Sequence, residues 1–386
     1  MDKKPYIVVE WNDTEGPATG WLCAYNFVNH YCGGGTRMHP TVTKEEVIRL
    51  ATAMGYKYNA IESKTTGGCK GGIKYDYKAP DAKAVLRRYL TAMAPYINSG
   101  VSIGGDLGVD YNDVLGILDE LGIGLPQTKA MRNDPQIQKN IKNHDAACET
   151  LRYDGFLMYD MITGYGCAAS LDEAWKFKNG KKGASVVIQG FGCVGASMAF
   201  CLDKMGYKVV AIADAMGMVS CADGLDVKKL VATRKPKGEL DLDSFEPNYT
   251  YGPNSGWLDI DCDILVPAAL EDVINKDNVH KVKASLIVEA ANIPVTEEAD
   301  KVLAEKGIDV CVDFIANLGG IRIYEVLVFG IVDADPDKIA NDTMNLTRRQ
   351  TLLTFTEAKK QGKTQRQIAK ALFAPTVFDT PDNYLL

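Results

Sequence analysis

Histidine is scarce in this chain: there are four in 386 residues (His30, His39, His144 and His280), and none sits in an HxxxH or Cys/His cluster. Without ligands at that spacing no metal site is expected, and each histidine reads as an ordinary surface or core residue. Paired cysteines are lacking too. Ten cysteines lie scattered with no CxxC, so they read as reduced thiols rather than a disulfide framework. No run of about 18 apolar residues is present to cross a bilayer, and no membrane partner is expected. The opening MDKKPYIVVEWND lacks the apolar core and small-residue cleavage site of a signal peptide, which makes a cytoplasmic location the expectation. Positive charge is not in excess: 43 Lys and Arg stand against 50 Asp and Glu, a net charge of −7. Without a basic face to neutralise a phosphate backbone, nucleic acid is excluded as a partner.

What is present fits a soluble globular protein, with 46% hydrophobic and 24% charged residues. The length suits two domains. From about 42 to 58, Val47, Leu50, Ala51, Met54 and Tyr56 recur at helical spacing, with Thr43 as N-cap and Glu46 three residues on; this helix is predicted to end near Lys57. The glycine-rich TTGGCKGGIKYD reads as a loop between it and a second helix over about 81–97. VSIGGDLGVD reads as a loop entering a helix over NDVLGILDELG, and MITGYG opens a further helix. After 183 the style changes. ASVVIQ, YKVVAIAD, CDILVPAA, ASLIVEAAN and IDVCVDF are short Val/Ile-rich runs separated by helical stretches, the pattern of a parallel sheet wound with helices. The polar segment 233–257 reads as a surface excursion, and two more helices follow 336.

In VVIQGFGCVGASMAFCLDKMGYKVVAIAD, Gly190, Gly192 and Gly195 fit GxGxxG, with Cys193 and Val194 between them, after a strand and before a helix. The first glycine permits a tight turn, the second lets backbone approach a pyrophosphate, and the third lets helix pack on strand. The helix N-terminus supplies unpaired N–H groups to the anion. Asp214 closes the next strand, where a carboxylate would accept hydrogen bonds from an adenine-ribose 2′-hydroxyl; capping a turn is the other role open to it. Neighbouring Ala215 and Met216 offer a 2′-phosphate no positive charge, which favours NAD over NADP.

The motifs GGTRMHP (34–40), GGCKGGI (67–73), GGDLGV (104–109), TGYG (163–166), GFGCVG (190–195), DILVPAA (263–269), VEAAN (288–292) and ANLGG (316–320) stand in order along the chain. Together they resemble the glutamate, leucine, phenylalanine and valine dehydrogenase family, over roughly residues 30–325. The resemblance implies an α/β fold of two domains. One is an N-terminal catalytic and oligomerisation domain over 1–160, joined by C-terminal helices at about 336–386 that pack back on it. The other is a Rossmann-type doubly wound NAD-binding domain over 161–335. The implied reaction is reversible oxidative deamination of an L-amino acid to a 2-oxo acid and ammonia, with hydride passing between Cα and the nicotinamide. A homo-oligomer is implied as well.

By the same resemblance Lys70 is the catalytic lysine that hydrogen-bonds the developing carbonyl oxygen and activates water, and Asp106 shuttles protons to and from the amine. Lys57 would hold the α-carboxylate, and Gly34 and Gly35 are further substrate-binding positions. Chemically, water attack on an iminium needs a base near neutrality, which a lysine becomes when desolvated or beside another cation. An aspartate nearby supplies negative charge for the cationic amine. Strict family spacing back from Lys70 reaches Tyr58; aligning AMGYK from the helix side, with an insertion in the following loop, restores Lys57 and is preferred because loops absorb insertions. Lys64 reads as a solvated loop residue and Arg37 as structural. Thr163 would contact the nicotinamide carboxamide and Asn292 the nicotinamide ribose, assisted by Asn317, although each is also a residue type that caps and turns favour.

Family members that use glutamate carry a lysine where this chain has Gly33. Burying a glutamate side chain without that partner costs several kcal/mol, so a nonacidic substrate is expected, in line with the likeness of GGTRM to the leucine and phenylalanine branch. The segment GGIRIYEV departs from both branches: Tyr324 would reshape the side-chain pocket, and Arg322 would face solvent or greet a polar substrate. Two alternatives stay open, a catalytically altered paralogue that binds NAD(H) as a regulatory module and a dehydrogenase for another amine or a 2-hydroxy acid.

Overall fold

A computed structural model describes residues 4–28, 31–123, 135–235, 239–242, 246–375 and 378–379, so His30 lies outside it. The chain divides into two compact units, residues 1–139 with 373–386, and residues 140–372.

The first unit opens with strands β1 (Ile7–Asn12) and β2 (Thr19–Ala24), then β3 (Phe27–Val28), β4 (Cys32–Met38), helix α1 (Lys44–Ala60), β5 (Gly67–Lys74), α2 (Ala82–Asn98), β6 (Val101–Gly105) and α3 (Tyr111–Glu120). Five strands form one sheet in the order β1-β2-β5-β4-β6, with β4 parallel to β5 and β6 and β2 antiparallel to β5. Its core gathers Leu22, Tyr89, Leu90, Ile103 and Leu118. Thr43 caps α1 by accepting from the Glu46 N–H at 3.2 Å, as its sequence predicts. The helix continues past Lys57 to Ala60.

Two expected loops are strands. TTGGCKGGIKYD supplies β5, buried inside the sheet, and VSIGG is β6. Local composition argues against a strand in GGCKGGIK because glycine weakens strands, yet glycine is also what a close backbone approach requires. A Cβ on Gly68 would lie 2.1 Å from the Gly55 nitrogen of α1, and one on Gly72 would lie 2.3 Å from Val47 Cγ2. The glycines therefore seat α1 on the sheet.

The second unit contains most of α4 (Pro135–Thr150), the hairpin β7 (Arg152–Tyr153) and β8 (Phe156–Leu157), α5 (Met158–Phe177), β9 (Ser185–Gln189), α6 (Cys193–Lys204), β10 (Lys208–Asp214), β11 (Gly217–Ser220), α7 (Val227–Ala232), β12 (Thr250–Gly252), β13 (Ile264–Pro267), β14 (Leu286–Val288), α8 (Glu297–Glu305), β15 (Asp309–Cys311), α9 (Asp313–Ala316), α10 (Gly319–Val328), α11 (Pro336–Gln361) and α12 (Gln365–Leu372). The sheet order is β12-β11-β10-β9-β13-β14-β15. The five Val/Ile-rich runs form its parallel strands, and their apolar residues are buried, as in a parallel sheet covered on both faces. Part of the 233–257 excursion returns as edge strand β12, antiparallel to β11.

The C-terminal helices differ from expectation. Helices α11 and α12 belong to the second unit, and only residues 373–386 group with the first, where β16 (Phe378–Asp379) pairs with β3. The reason lies in the buried face of α11, which presents Thr343, Thr347, Thr351 and Phe355. Thr351 hydrogen-bonds Ser170 of α5 at 2.8 Å, and Phe355 joins the second unit's core. No helix among the described residues is long and apolar enough to cross a membrane.

Candidate active site

In the first unit the site is built on three adjacent strands. β5 carries Lys70, β4 carries Arg37, and Asp106 follows directly on β6. Lys70 is 4% exposed, and its Nζ lies 2.8 Å from Asp106 Oδ2. Arg37 Nε donates to the same oxygen at 3.2 Å, while its Nη1 meets Glu46 Oε1 of α1 at 2.7 Å. Burial alone would raise the Asp106 carboxyl, but the Lys70 ammonium and then the Arg37 guanidinium outweigh it and hold the group well below the usual carboxylate range. The result is a fixed, half-buried carboxylate with a buried lysine bonded to it.

The other expected substrate residues lie in the same unit, except one. Lys57 is buried in the last turn of α1, and Lys64 is exposed in the loop that follows. A Cβ on Gly34 would meet the Cys69 carbonyl at 1.8 Å and one on Gly35 the Gly105 carbonyl at 2.5 Å, so both glycines let backbones pack closely. At Gly33 a Cβ would fall 2.5 Å from the Tyr58 hydroxyl: the phenol of Tyr58 occupies the start of any side chain there. Tyr324 is in the second unit, on α10, its ring edge-on to His144 at 5.2 Å. Arg322 neither faces solvent nor stands open to a ligand; it pairs with Asp342 through two hydrogen bonds of 2.6 and 2.9 Å.

The second unit carries the glycine turn. Gly190 has φ +104°, a conformation open to glycine without steric penalty. A Cβ on Gly195 would meet the Gly190 carbonyl at 1.9 Å, while among the described residues nothing lies within 4 Å of the Cβ position on Gly192. That open position stands at the start of α6, beside exposed Cys193 and half-buried Val194, and suits a ligand phosphate at unpaired N–H groups. Asp214 ends β10 and accepts from the N–H groups of Met216 at 2.8 Å and Leu240 at 2.6 Å, so it does cap a turn; each oxygen keeps a second lone pair. Thr163 lies on α5, its hydroxyl 3.3 Å from the Cβ position of Gly320. Asn317 Nδ2 donates to the carbonyls of Ala290 and Ala291 and to Asn292 Oδ1, at 3.1 to 3.3 Å. Among the described residues Asn317 Oδ1 is buried without a partner, as is fitting where a ligand donor is to arrive.

Sequence reading missed two features. It passed over Arg234, whose Nη1 donates to the Gly192 carbonyl at 3.2 Å, because the excursion that begins at Thr233 gives no hint of folding back on the turn. It also read Glu46 only as a capping residue, whereas the carboxylate anchors Arg37. No group of three metal-ligating side chains occurs among the described residues.

This geometry has close counterparts. A family profile described as Glutamate/Leucine/Phenylalanine/Valine dehydrogenase matches residues 155–327, and one described as Glu/Leu/Phe/Val dehydrogenase, dimerisation domain, matches residues 5–122. The chain belongs to the glutamate/leucine/phenylalanine/valine dehydrogenase family. It is an NAD(P)-dependent amino-acid dehydrogenase, an oxidoreductase acting on CH–NH2 donors. It is 38% identical over 314 residues to an NADP-specific glutamate dehydrogenase of Saccharolobus shibatae, covering 78% of this chain and 69% of the relative. It is 31% identical over 320 residues to an NAD-specific glutamate dehydrogenase of Staphylococcus aureus, covering 79% and 70%. Its fold matches the hetero-hexameric glutamate dehydrogenase of Thermus thermophilus in a Leu-bound form with a TM-score of 0.75 and 25% identity, over 96% of this chain and 87% of that one. These names do not follow the leucine and phenylalanine likeness of GGTRM, and they lend no support to the expectation of a nonacidic substrate.

Proposed function

We propose that this dehydrogenase catalyses reversible oxidative deamination of an L-amino acid to its 2-oxo acid and ammonia, with Lys70 and Asp106 as its catalytic residues. The observation that carries the reading is the ion pair of buried Lys70 with half-buried Asp106, at 2.8 Å. Lys70 donates to the oxygen that becomes the carbonyl and orients the attacking water. Asp106, kept anionic by its cations, receives the proton of the substrate ammonium and returns it to the leaving ammonia. Lys57 holds the α-carboxylate, which fixes the Cα hydrogen in one direction. When bound, the dinucleotide supplies the hydride acceptor. Its pyrophosphate rests on the Gly190–Gly195 turn, Asp214 takes the adenine ribose and favours NAD over NADP, and Thr163 and Asn292, with Asn317, hold the nicotinamide half.

Self-association belongs to the same proposal, supported by the match to a dimerisation-domain profile.

For the side chain, the names of the relatives favour glutamate. A second reading, an uncharged side chain, rests on Gly33 and the Tyr58 phenol that fills the space beside it. Steady-state kinetics with ammonium and matched 2-oxo acids separates them: a kcat/KM for 2-oxoglutarate at least about tenfold above that for branched or aromatic oxo acids favours glutamate, and the reverse order favours the uncharged side chain. Lys57→Ala is expected to raise the KM for the oxo acid by about tenfold or more with a smaller effect on kcat. A KM effect confined to Tyr58→Phe or Lys64→Ala would assign the carboxylate to another residue.

A further inference from the structure

Behind Asn292 the chain takes a conformation its sequence does not favour. Ile293 has φ +47°, where a β-branched residue is a genuine outlier, and Pro294 after it restricts it further. Something must hold the turn. The Ile293 N–H donates to Asp313 Oδ2 at 3.0 Å, and its carbonyl accepts from the N–H of Asp272, itself at φ +54°. Asp313 is fixed in turn, because its N–H donates to Glu289 Oε2 at 2.9 Å. Glu289 is fully buried. Its other oxygen accepts from Arg366 of α12 at 2.6 Å, and Arg366 Nε reaches Asp300 of α8 at 2.8 Å. A relay of charged side chains thus runs from the C-terminal helix to the residue next to Asn292.

We infer that Asp313 is a positioning residue, which, anchored through Glu289 and Arg366, clamps the left-handed turn at Ile293 and so aims Asn292 at the dinucleotide. The inference rests on Asn292 being a cofactor contact. Two observations favour an aiming role over mere tethering of α12. The last link of the relay is a backbone N–H in a strained turn, not a side chain of the helix. The neighbouring carbonyls of Ala290 and Ala291 are pinned separately by Asn317, so the turn is determined from both sides. Burial pushes the Glu289 carboxyl up to about 7 against the opposing pull of Arg366.

The test is a double-mutant cycle read by NADH fluorescence and thermal melting on the full-length protein. Asn292→Ala and Asp313→Ala should each raise the NADH Kd by about tenfold, and the double variant should be no worse than either, because Asp313 acts through Asn292. Asp313→Asn keeps an acceptor for the Ile293 N–H and should restore most of the affinity. Glycine reaches positive φ unaided, so adding Ile293→Gly to Asp313→Ala should also recover NADH binding, even where Asp313→Ala alone is too unstable to assay. An Asn292→Ala effect that multiplies with that of Asp313→Ala, or no recovery with Ile293→Gly, overturns the inference alone. No effect of Asn292→Ala on NADH binding removes the cofactor reading and the inference together.

Discussion

Lys70→Ala is expected to lower kcat by about 10³-fold or more in both directions while NADH binds with unchanged affinity. The magnitude follows from removing a proton-handling group and a charged donor to the developing oxyanion in one step, each of which contributes on the order of 10² to 10⁴. The lysine sits on a buried strand, with α1 seated on the flanking Gly68 and Gly72. Its removal also leaves Asp106 with Arg37 as its remaining ion-pair partner among those described. NADH affinity should hold, because Lys70 lies in the first unit and the glycine turn in the second. Stopped-flow fluorescence for NADH binding and steady-state rates for turnover check both halves, and turnover within about tenfold of wild type would remove Lys70 from the chemistry.

Asp106→Asn should abolish turnover to a similar degree, for a different reason. The amide keeps the shape and loses the charge, so the site holds two cations, Lys70 and Arg37, facing a third on the substrate. The variant also has a pH signature. The folded-state carboxyl lies below its unfolded value, so its contribution to stability is present above the unfolded pKa of about 3.9 and is lost as pH falls toward the folded one. The melting temperature of wild type should therefore exceed that of Asp106→Asn at pH 6, and the gap should close as pH drops below about 4. A gap that is constant with pH would show that the charge of Asp106 is not what the pairing stabilises.

Much of the second unit was legible because its signals are local. Each of its five parallel strands is a short Val/Ile run, and GxGxxG joins β9 to α6 as strand, turn and helix in sequence. The first unit was harder. Strands β4, β5 and β6 are rich in glycine, which reads locally as loop, and they become strands only because α1 and the neighbouring strands fill the space beside the glycine α carbons. Pairing of Lys70 with Asp106 joins residues 36 positions apart, through β5 and β6 on either side of β4, and no periodicity announces it. The family motifs single out both residues as candidates; only the fold brings Arg37 and Glu46 to them. Packing of α11 on α5 was misjudged because its buried face mixes threonines with apolar residues, and Thr351 finds its partner in the Ser170 hydroxyl of α5. Arg322 looked exposed for want of a visible partner, and Asp342 supplies it from the next helix.

The central claim is that the Lys70–Asp106 pair runs amino-acid deamination, and the most direct test is NADH oxidation followed at about 340 nm with ammonium and a panel of acidic, aliphatic, aromatic and polar 2-oxo acids. The expected result is turnover that requires both ammonium and one class of oxo acid and disappears in Lys70→Ala. Tight NADH binding with no ammonium-dependent turnover anywhere in the panel, or turnover that does not need ammonium, would contradict it.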